Sequence, residues 1–90
     1  MNEKHIQYVL KVVEEGSITA ASRKLYVSQP SLSQTIKLIE RNLVAEIFNR
    51  STDPISVTPA GEKYIEAARK VLEIERGLQQ EIGRMNRDVI

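Results

Sequence analysis

The stretch that decides the fold is "YVSQPSLSQTIKLIER", residues Tyr26–Arg41, in which apolar residues recur at helical spacing among hydroxyls, amides and cations. Ser28 is a favourable N-cap, and Pro30 follows in the first turn, where a missing backbone N–H has no cost. The pattern therefore predicts a helix over residues 28–42. Its polar side raises the question of what it contacts, because a solvated helix usually carries Glu and Lys there.

The two sides of this helix differ in chemistry. At 100° per residue, the side expected to face the core consists of Leu32, Ile36, Ile39 and Leu43. The opposite side consists of Pro30, Gln34, Lys37 and Arg41, with Ser33 at its flank and Glu40 at its margin. Amides, hydroxyls and cations can hydrogen-bond to base edges or phosphates in the DNA major groove, where a carboxylate would be repelled. We therefore predict that this side of the helix contacts DNA. The alternative is a solvated face without a partner, in which Ser28 is only a cap.

The residues before this helix predict two more helices. Apolar residues at i, i+3, i+4 and i+7 indicate a helix over 3–15, which Gly16 ends. Ser17 is a suitable N-cap for a second helix over 18–25. A short helix, a tight turn and a capped helix are the parts of a helix-turn-helix, whose first helix crosses the DNA backbone.

The residues after this helix predict a wing and a long final helix. Apolar residues flank the polar segment "NRSTDPIS", which indicates two short strands joined by a loop. Thr58 and Pro59 then suit the N-cap and first position of a helix that continues to about Asp88. The predicted fold is mainly α: a winged helix-turn-helix of three helices and a β-hairpin over 1–58, followed by a long helix over 59–90.

The composition narrows the functional classes. The chain has 90 residues, a net charge of +1, no cysteine and one histidine, so we expect no metal centre, disulfide or cofactor. No apolar run approaches the length of a membrane span, and a cytoplasmic protein is expected. Residues 59–90 have balanced charge, whereas residues 23–41 hold four cations and one anion. The positive excess therefore lies around the predicted DNA-contacting helix.

The long helix carries a heptad seam. Residues recur at alternating spacings of four and three in the series Tyr64, Ala68, Val71, Glu75, Leu78, Ile82, Met85 and Val89. A lone helix would expose this seam, so pairing with a second copy is predicted. The residues expected to form the homodimer contact are Val71, Leu78, Ile82 and Met85.

Together these segments resemble a known family. The stretch "EEGSITAASRKLYVSQPSLSQTIKLIE", followed by "IFNR" and "VTPAGE", is similar to the N-terminal DNA-binding region of LysR-type transcriptional regulators. The resemblance implies a bacterial regulator that binds an interrupted palindrome in double-stranded DNA as a dimer or tetramer. It also implies that the 90 residues are a fragment lacking a C-terminal domain that binds a small-molecule effector.

The resemblance and the polar face together give the predicted DNA-contacting set. Its members are Ser28, Gln29, Pro30, Ser31, Ser33, Gln34, Lys37, Arg41 and the wing residue Arg50. Three departures from the family pattern are expected to matter. Val44 stands where glycine is common, Gln34 stands where arginine is frequent, and the wing has no cation beyond Arg50.

Two other functions fit parts of the sequence. A coiled-coil adaptor would use residues 59–90 to bind a protein, and a winged-helix regulator of another family would share the fold. Catalysis is not expected, because His5 is the only histidine and the chain has no acid–base pair or glycine-rich phosphate loop. Duplex binding and its salt dependence would separate a DNA-binding module from an adaptor.

Overall fold

The computed structural model describes residues 1–88, which form four helices and one two-stranded antiparallel sheet. The elements in chain order are α1 (Glu3–Glu15), α2 (Ile18–Leu25), α3 (Gln29–Leu43), β1 (Phe48–Asn49), β2 (Ser56–Val57) and α4 (Pro59–Asp88). The predicted winged helix-turn-helix with a long final helix is confirmed. Helix α3 ends one residue later than the sequence predicted.

Side-chain caps set the helix starts: those at Ser17, Ser28 and Thr58 were predicted from the sequence, and the cap at Asn2 was not. An oxygen of the capping residue accepts a backbone N–H three residues later at Asn2, Ser17, Ser28 and Thr58. Each such bond satisfies one of the N–H groups that a first helical turn leaves without an intrahelical partner. Gly16 ends α1 with φ 67°, a left-handed conformation in which glycine has no steric cost.

The core lies between α1, α2, α3 and the base of the hairpin. Its largest fully buried side chains are Phe48, Ile6, Leu32, Ile36, Ile47, Val9 and Val12. Burying such side chains is worth about 1.5–3 kcal/mol each. The start of α4 completes this core with Tyr64, Ile65 and Ala68. The first turns of α4 therefore belong to the globular domain, and only the rest of the helix extends beyond it.

The predicted heptad seam is therefore divided between two environments. Tyr64 and Ala68 were expected on a dimer seam, but they are 8% and 0% exposed because they pack against their own core. The large apolar side chains of α4 that are exposed are Ile74, Leu78, Ile82 and Met85, next to the half-buried Val71. Ile74 was not part of the predicted seam, and Val89 lies outside the described residues.

The end of α3 differs from the prediction at Leu43, and Val44 shows how the turn accommodates a residue other than glycine. Leu43 was expected in the core but is 42% exposed, because it lines an open groove beside Asn2, His5 and Tyr64 that no described element covers. Val44 adopts φ 58° and ψ 38°, the left-handed conformation that glycine would adopt freely. The turn thus keeps a glycine-type geometry with a valine in it, at a steric cost of about 1–2 kcal/mol.

Candidate nucleic-acid interface

The predicted DNA-contacting residues of α3 form one continuous solvent-facing surface. Seven of them are exposed: Ser28, Gln29, Pro30, Ser31, Gln34, Lys37 and Arg41. Ser33 is half-buried at the flank, where the sequence placed it. The opposite side of the helix holds Leu32, Ile36 and Ile39 in the core, so the amide, hydroxyl and cationic groups are held outward by a fixed packing face.

Helix α2 and a three-residue turn set the position of α3. Tyr26 ends α2 in a left-handed conformation, and its N–H donates to the carbonyl oxygen of Arg23 at 3.2 Å. The next N–H, from Val27, donates to the carbonyl oxygen of Ser22 at 3.0 Å. Val27 also packs against the core, so the turn is held by both backbone bonding and burial. The start of α3 is thereby placed at the protein surface.

Glu40 lies inside the protein, not at the margin of the outward face as the sequence suggested. It is 8% exposed, and its Oε2 accepts the backbone N–H of Ile47 at 2.7 Å. The Arg50 guanidinium donates to both carboxylate oxygens, from Nη2 to Oε1 at 3.0 Å and from Nη1 to Oε2 at 3.3 Å. This buried carboxylate therefore joins α3 to the base of the wing.

The pKa of Glu40 reflects these contacts. Burial by itself raises the pKa, but the hydrogen bonds from Arg50 and Ile47 and the charge of Arg50 outweigh it, so the pKa of Glu40 is lowered from its ordinary value. Glu40 is thus held as a carboxylate. Because it is the only carboxylate between Arg23 and Arg41, its burial leaves that outer surface with hydroxyl, amide and cationic groups.

The wing is tied to the domain on both sides. Arg50 is paired with Glu40 at the start of the wing loop, and the Ile55 N–H at its end donates to the carbonyl oxygen of Gly16 at 3.0 Å. A Cβ at Gly16 would lie only 3.0 Å from Cβ of Pro54, so the wing packs closely on the turn between α1 and α2. Arg50, the one cation of the wing, is therefore neutralised within the protein, and its contact with DNA stays a prediction.

Other kinds of site were sought over the same residues. Among the residues that the structure describes, no group of three or more His, Cys, Asp or Glu side chains could hold a metal ion. No helix within residues 1–88 is both long and apolar enough to cross a membrane.

Comparison with known proteins gives a consistent family. The sequence profile of the bacterial regulatory helix-turn-helix proteins of the lysR family matches residues 4–62. The transcriptional regulator TfdS of Cupriavidus pinatubonensis is 37% identical over 76 residues, which are 84% of this chain and 26% of TfdS. The activator AaeR of Escherichia coli K12 is 37% identical over 83 residues, 92% of this chain and 27% of AaeR. The chain thus spans about a quarter of the length of these regulators.

Solved structures agree with the sequence relatives. The BenM DNA-binding domain, in a complex with catB site 1 DNA, aligns with a TM-score of 0.89 and 32% identity over 98% of this chain and 95% of that one. The CbnR DNA-binding domain, also in a DNA complex, aligns with a TM-score of 0.81 and 31% identity over 96% and 98% of the two chains. This chain therefore belongs to the LysR family of bacterial regulatory helix-turn-helix proteins and is a DNA-binding domain of that family.

Proposed function

We propose that this chain binds double-stranded DNA sequence-specifically as the reading module of a transcriptional regulator, with α3 in the major groove. The observation that carries the proposal is the outward face of α3, on which Gln34, Lys37 and Arg41 are exposed while Glu40 is buried. Relatives of similar fold are seen in DNA complexes, which supports the same use here. The relatives are transcriptional regulators and not enzymes, so no catalytic residue is proposed.

The position of each side chain along α3 suggests its role. Helix-turn-helix proteins usually reach base edges from the first turns of the second helix. Gln29 and Gln34 lie there, and an amide can bond bidentately to adenine. Lys37 and Arg41 lie one and two turns later, where long cations suit phosphates. We therefore propose that Gln34 reads sequence and that Lys37 supplies affinity without reading sequence.

Replacing Gln34 and Lys37 separately tests this division of roles. Gln34→Ala is expected to reduce discrimination between a specific and a scrambled duplex by about 1–3 kcal/mol with little change in salt dependence. Lys37→Ala is expected to weaken both duplexes equally and to flatten the slope of log K against log salt by about 0.9 for each phosphate that is no longer neutralised. The measurement is a salt titration of each variant on a duplex selected from a random pool and on its scrambled version.

Lys63→Ala is the matched control for Lys37→Ala, because Lys63 is an exposed lysine on α4. It should leave both duplex affinities and the salt slope unchanged. If Gln34→Ala flattened the salt slope and Lys37→Ala reduced discrimination between the duplexes, the proposed roles would be reversed. Unchanged binding in both would mean that this face of α3 does not enter the groove. Absence of salt-dependent duplex binding by the unmodified chain would favour the adaptor function.

We propose that two copies pair through the exposed apolar face of α4, which consists of Val71, Ile74, Leu78, Ile82 and Met85. Ile74 and Met85 are 71% and 64% exposed, an unusual amount of apolar surface for one side of an isolated helix. Pairing would remove this surface from water and bring two copies of α3 to the two halves of a palindrome. In this proposal residues 1–58 and the first turns of α4 form the DNA-binding domain, and the exposed part of α4 from Val71 to Met85 dimerises.

Leu78→Ala is expected to weaken the dimer about tenfold. Leu78 is 56% exposed in one chain, so pairing can bury roughly half of its side chain in each copy, and the two copies together lose about 1.4 kcal/mol on truncation. Sedimentation equilibrium over a concentration series measures the change. Gln80→Ala, at an exposed position about 160° around the helix, is the control and should leave the dimer unchanged. Equal effects from the two variants would place the interface elsewhere.

The remaining features of the full-length protein are proposed from the family. The relatives are about three times as long as this chain, which leaves room for the C-terminal effector-binding domain and for assembly into tetramers. A regulator of bacterial genes works where the chromosome is, so the cytoplasm is the proposed location. The effector would act through that other domain, because the proposed interface consists of residues suited to DNA and to a second copy.

A further inference from the structure

Tyr26 has the highest exposed fraction among the large hydrophobic side chains of the described residues. It is 95% exposed and occupies the turn between α2 and α3 with φ 58° and ψ 40°. Non-glycine residues are uncommon in this left-handed region, where asparagine is tolerated better than an aromatic residue. Within residues 1–88 its side chain makes no hydrogen bond, so neither burial nor bonding inside the domain accounts for a phenol at this position.

Exposed cations and a hydroxyl, which are suited to phosphate contact, lie close to Tyr26 in the chain. Ser28, the N-cap of α3, is two residues away, so its Cα lies within about 7 Å of that of Tyr26. On the other side Arg23 and Lys24 are exposed in the last turn of α2. Tyr26 therefore stands between two exposed cations and the beginning of the helix proposed to enter the groove. No carboxylate occurs in the sequence from Gly16 to Ile39 to repel a phosphate there.

We propose that Tyr26 is a further DNA-binding residue, whose phenol hydroxyl donates a hydrogen bond to a phosphate oxygen at the edge of the major groove. This inference rests on the proposed function, because it needs α3 in the groove. Tyrosine hydroxyls are among the neutral donors that contact phosphates in protein–DNA complexes, where they set register and orientation without reading sequence. Tyr26 thus fixes the depth and angle at which the start of α3 meets the bases.

A neutral hydrogen-bond donor can be distinguished from a cation by the salt dependence of DNA binding. Removing a lysine that neutralises a phosphate changes the number of counterions released and so the salt slope, whereas removing a phenol hydroxyl leaves that number unchanged. Removing a hydrogen bond to a phosphate also lowers affinity for all sequences alike. Tyr26 should therefore differ from Lys37 in salt dependence and from Gln34 in sequence dependence.

The test uses Tyr26→Phe, which removes only the hydroxyl, and Tyr26→Asn, which suits the left-handed backbone. Each is titrated onto the selected duplex and its scrambled version at several salt concentrations, and its thermal unfolding is measured. Tyr26→Phe is expected to weaken both duplexes about three- to tenfold per subunit with an unchanged salt slope and melting temperature. Tyr26→Asn is expected to melt at a higher temperature than the unmodified chain and yet bind both duplexes more weakly.

Three results would overturn the inference. Wild-type affinity of Tyr26→Phe for both duplexes would show that the hydroxyl has no DNA partner. A loss confined to the selected duplex would assign Tyr26 to a base edge instead of a phosphate. A lower melting temperature in Tyr26→Phe would assign the hydroxyl a structural role. The unmodified chain distinguishes failure of this inference from failure of the proposed function. If the unmodified chain shows no salt-dependent duplex binding, the proposed function fails and the inference fails with it. If the unmodified chain binds and Tyr26→Phe binds equally well, only the inference fails.

Discussion

Gly61→Ala is expected to lower the free energy of unfolding by about 3 kcal/mol, although alanine is the better helix former. An added Cβ would overlap the carbonyl oxygen of Ile47 and lie 2.7 Å from Cγ1 of Val57. That carbonyl oxygen cannot move away freely, because it accepts the N–H of Thr58 at 2.9 Å. Either α4 shifts off the base of the wing or this bond breaks. Urea unfolding followed by circular dichroism measures the loss.

Gly77→Ala and Gly83→Ala are matched controls on the same helix. A Cβ at either position would meet nothing within 4 Å, so only helix propensity changes. Each substitution should therefore raise stability by about 1 kcal/mol. Stabilisation by Gly61→Ala of the same size would show that α4 does not approach the wing as closely as the structure has it.

The helices and their limits could be predicted from the sequence because local chemistry determines them. Ser17, Ser28 and Thr58 are hydroxyl caps, and each bonds the N–H three residues later as their positions predicted. The apolar spacing of α3 likewise gave the correct inward side for Leu32, Ile36 and Ile39. These features depend on residues a few positions apart, which a sequence displays directly.

Whether the Glu40 side chain points into the protein or into solvent could not be predicted in this way. Its angle on the helix places it at the border between core and solvent, and its partners lie seven to ten residues later in the wing. One signal was available: a lone carboxylate among cations, followed by Arg50 next to strand residues whose N–H groups need acceptors. The unpredicted burial bears on the proposed DNA contact, because it removes the carboxylate from the margin of the outward face of α3.

The heptad spacing of α4 had a different ambiguity. Periodicity reveals an apolar side but not what covers it. Tyr64 and Ala68 are covered by their own domain, whereas Leu78 and Ile82 are left exposed, although all four follow the same heptad spacing. The difference arises from the length of the domain that α4 crosses, which is a property of tertiary packing. The same limit applies to Leu43. It lies on the apolar side of α3, but at the end of the helix no described element covers it.

Glu40→Ala is expected to lower the free energy of unfolding by about 3 kcal/mol. The substitution leaves the buried N–H of Ile47 without its 2.7 Å acceptor and the partly buried guanidinium of Arg50 without a counter-charge. It also removes the side-chain link between α3 and the wing. Glu46→Ala is the control, because Glu46 is an exposed carboxylate close by in the chain and should change stability little. Chemical denaturation at pH 7 compares the two variants.

The pH dependence of stability gives an independent test of the same carboxylate. The pKa of Glu40 is lowered in the folded state, so its stabilisation is fully present above the unfolded-state pKa of about 4.3. It is lost as the pH falls through the lower folded-state pKa, because the protonated form no longer pairs as an anion with Arg50. Glu40→Gln keeps an acceptor oxygen for the Ile47 N–H but has no charge to titrate. We therefore expect its stability deficit to be largest near pH 7 and to shrink as the pH falls from about 4.3 towards 2. A deficit that stays constant over this range would mean that Glu40 contributes by its hydrogen bonds and shape alone, and that its charge does not hold Arg50 and the wing against α3.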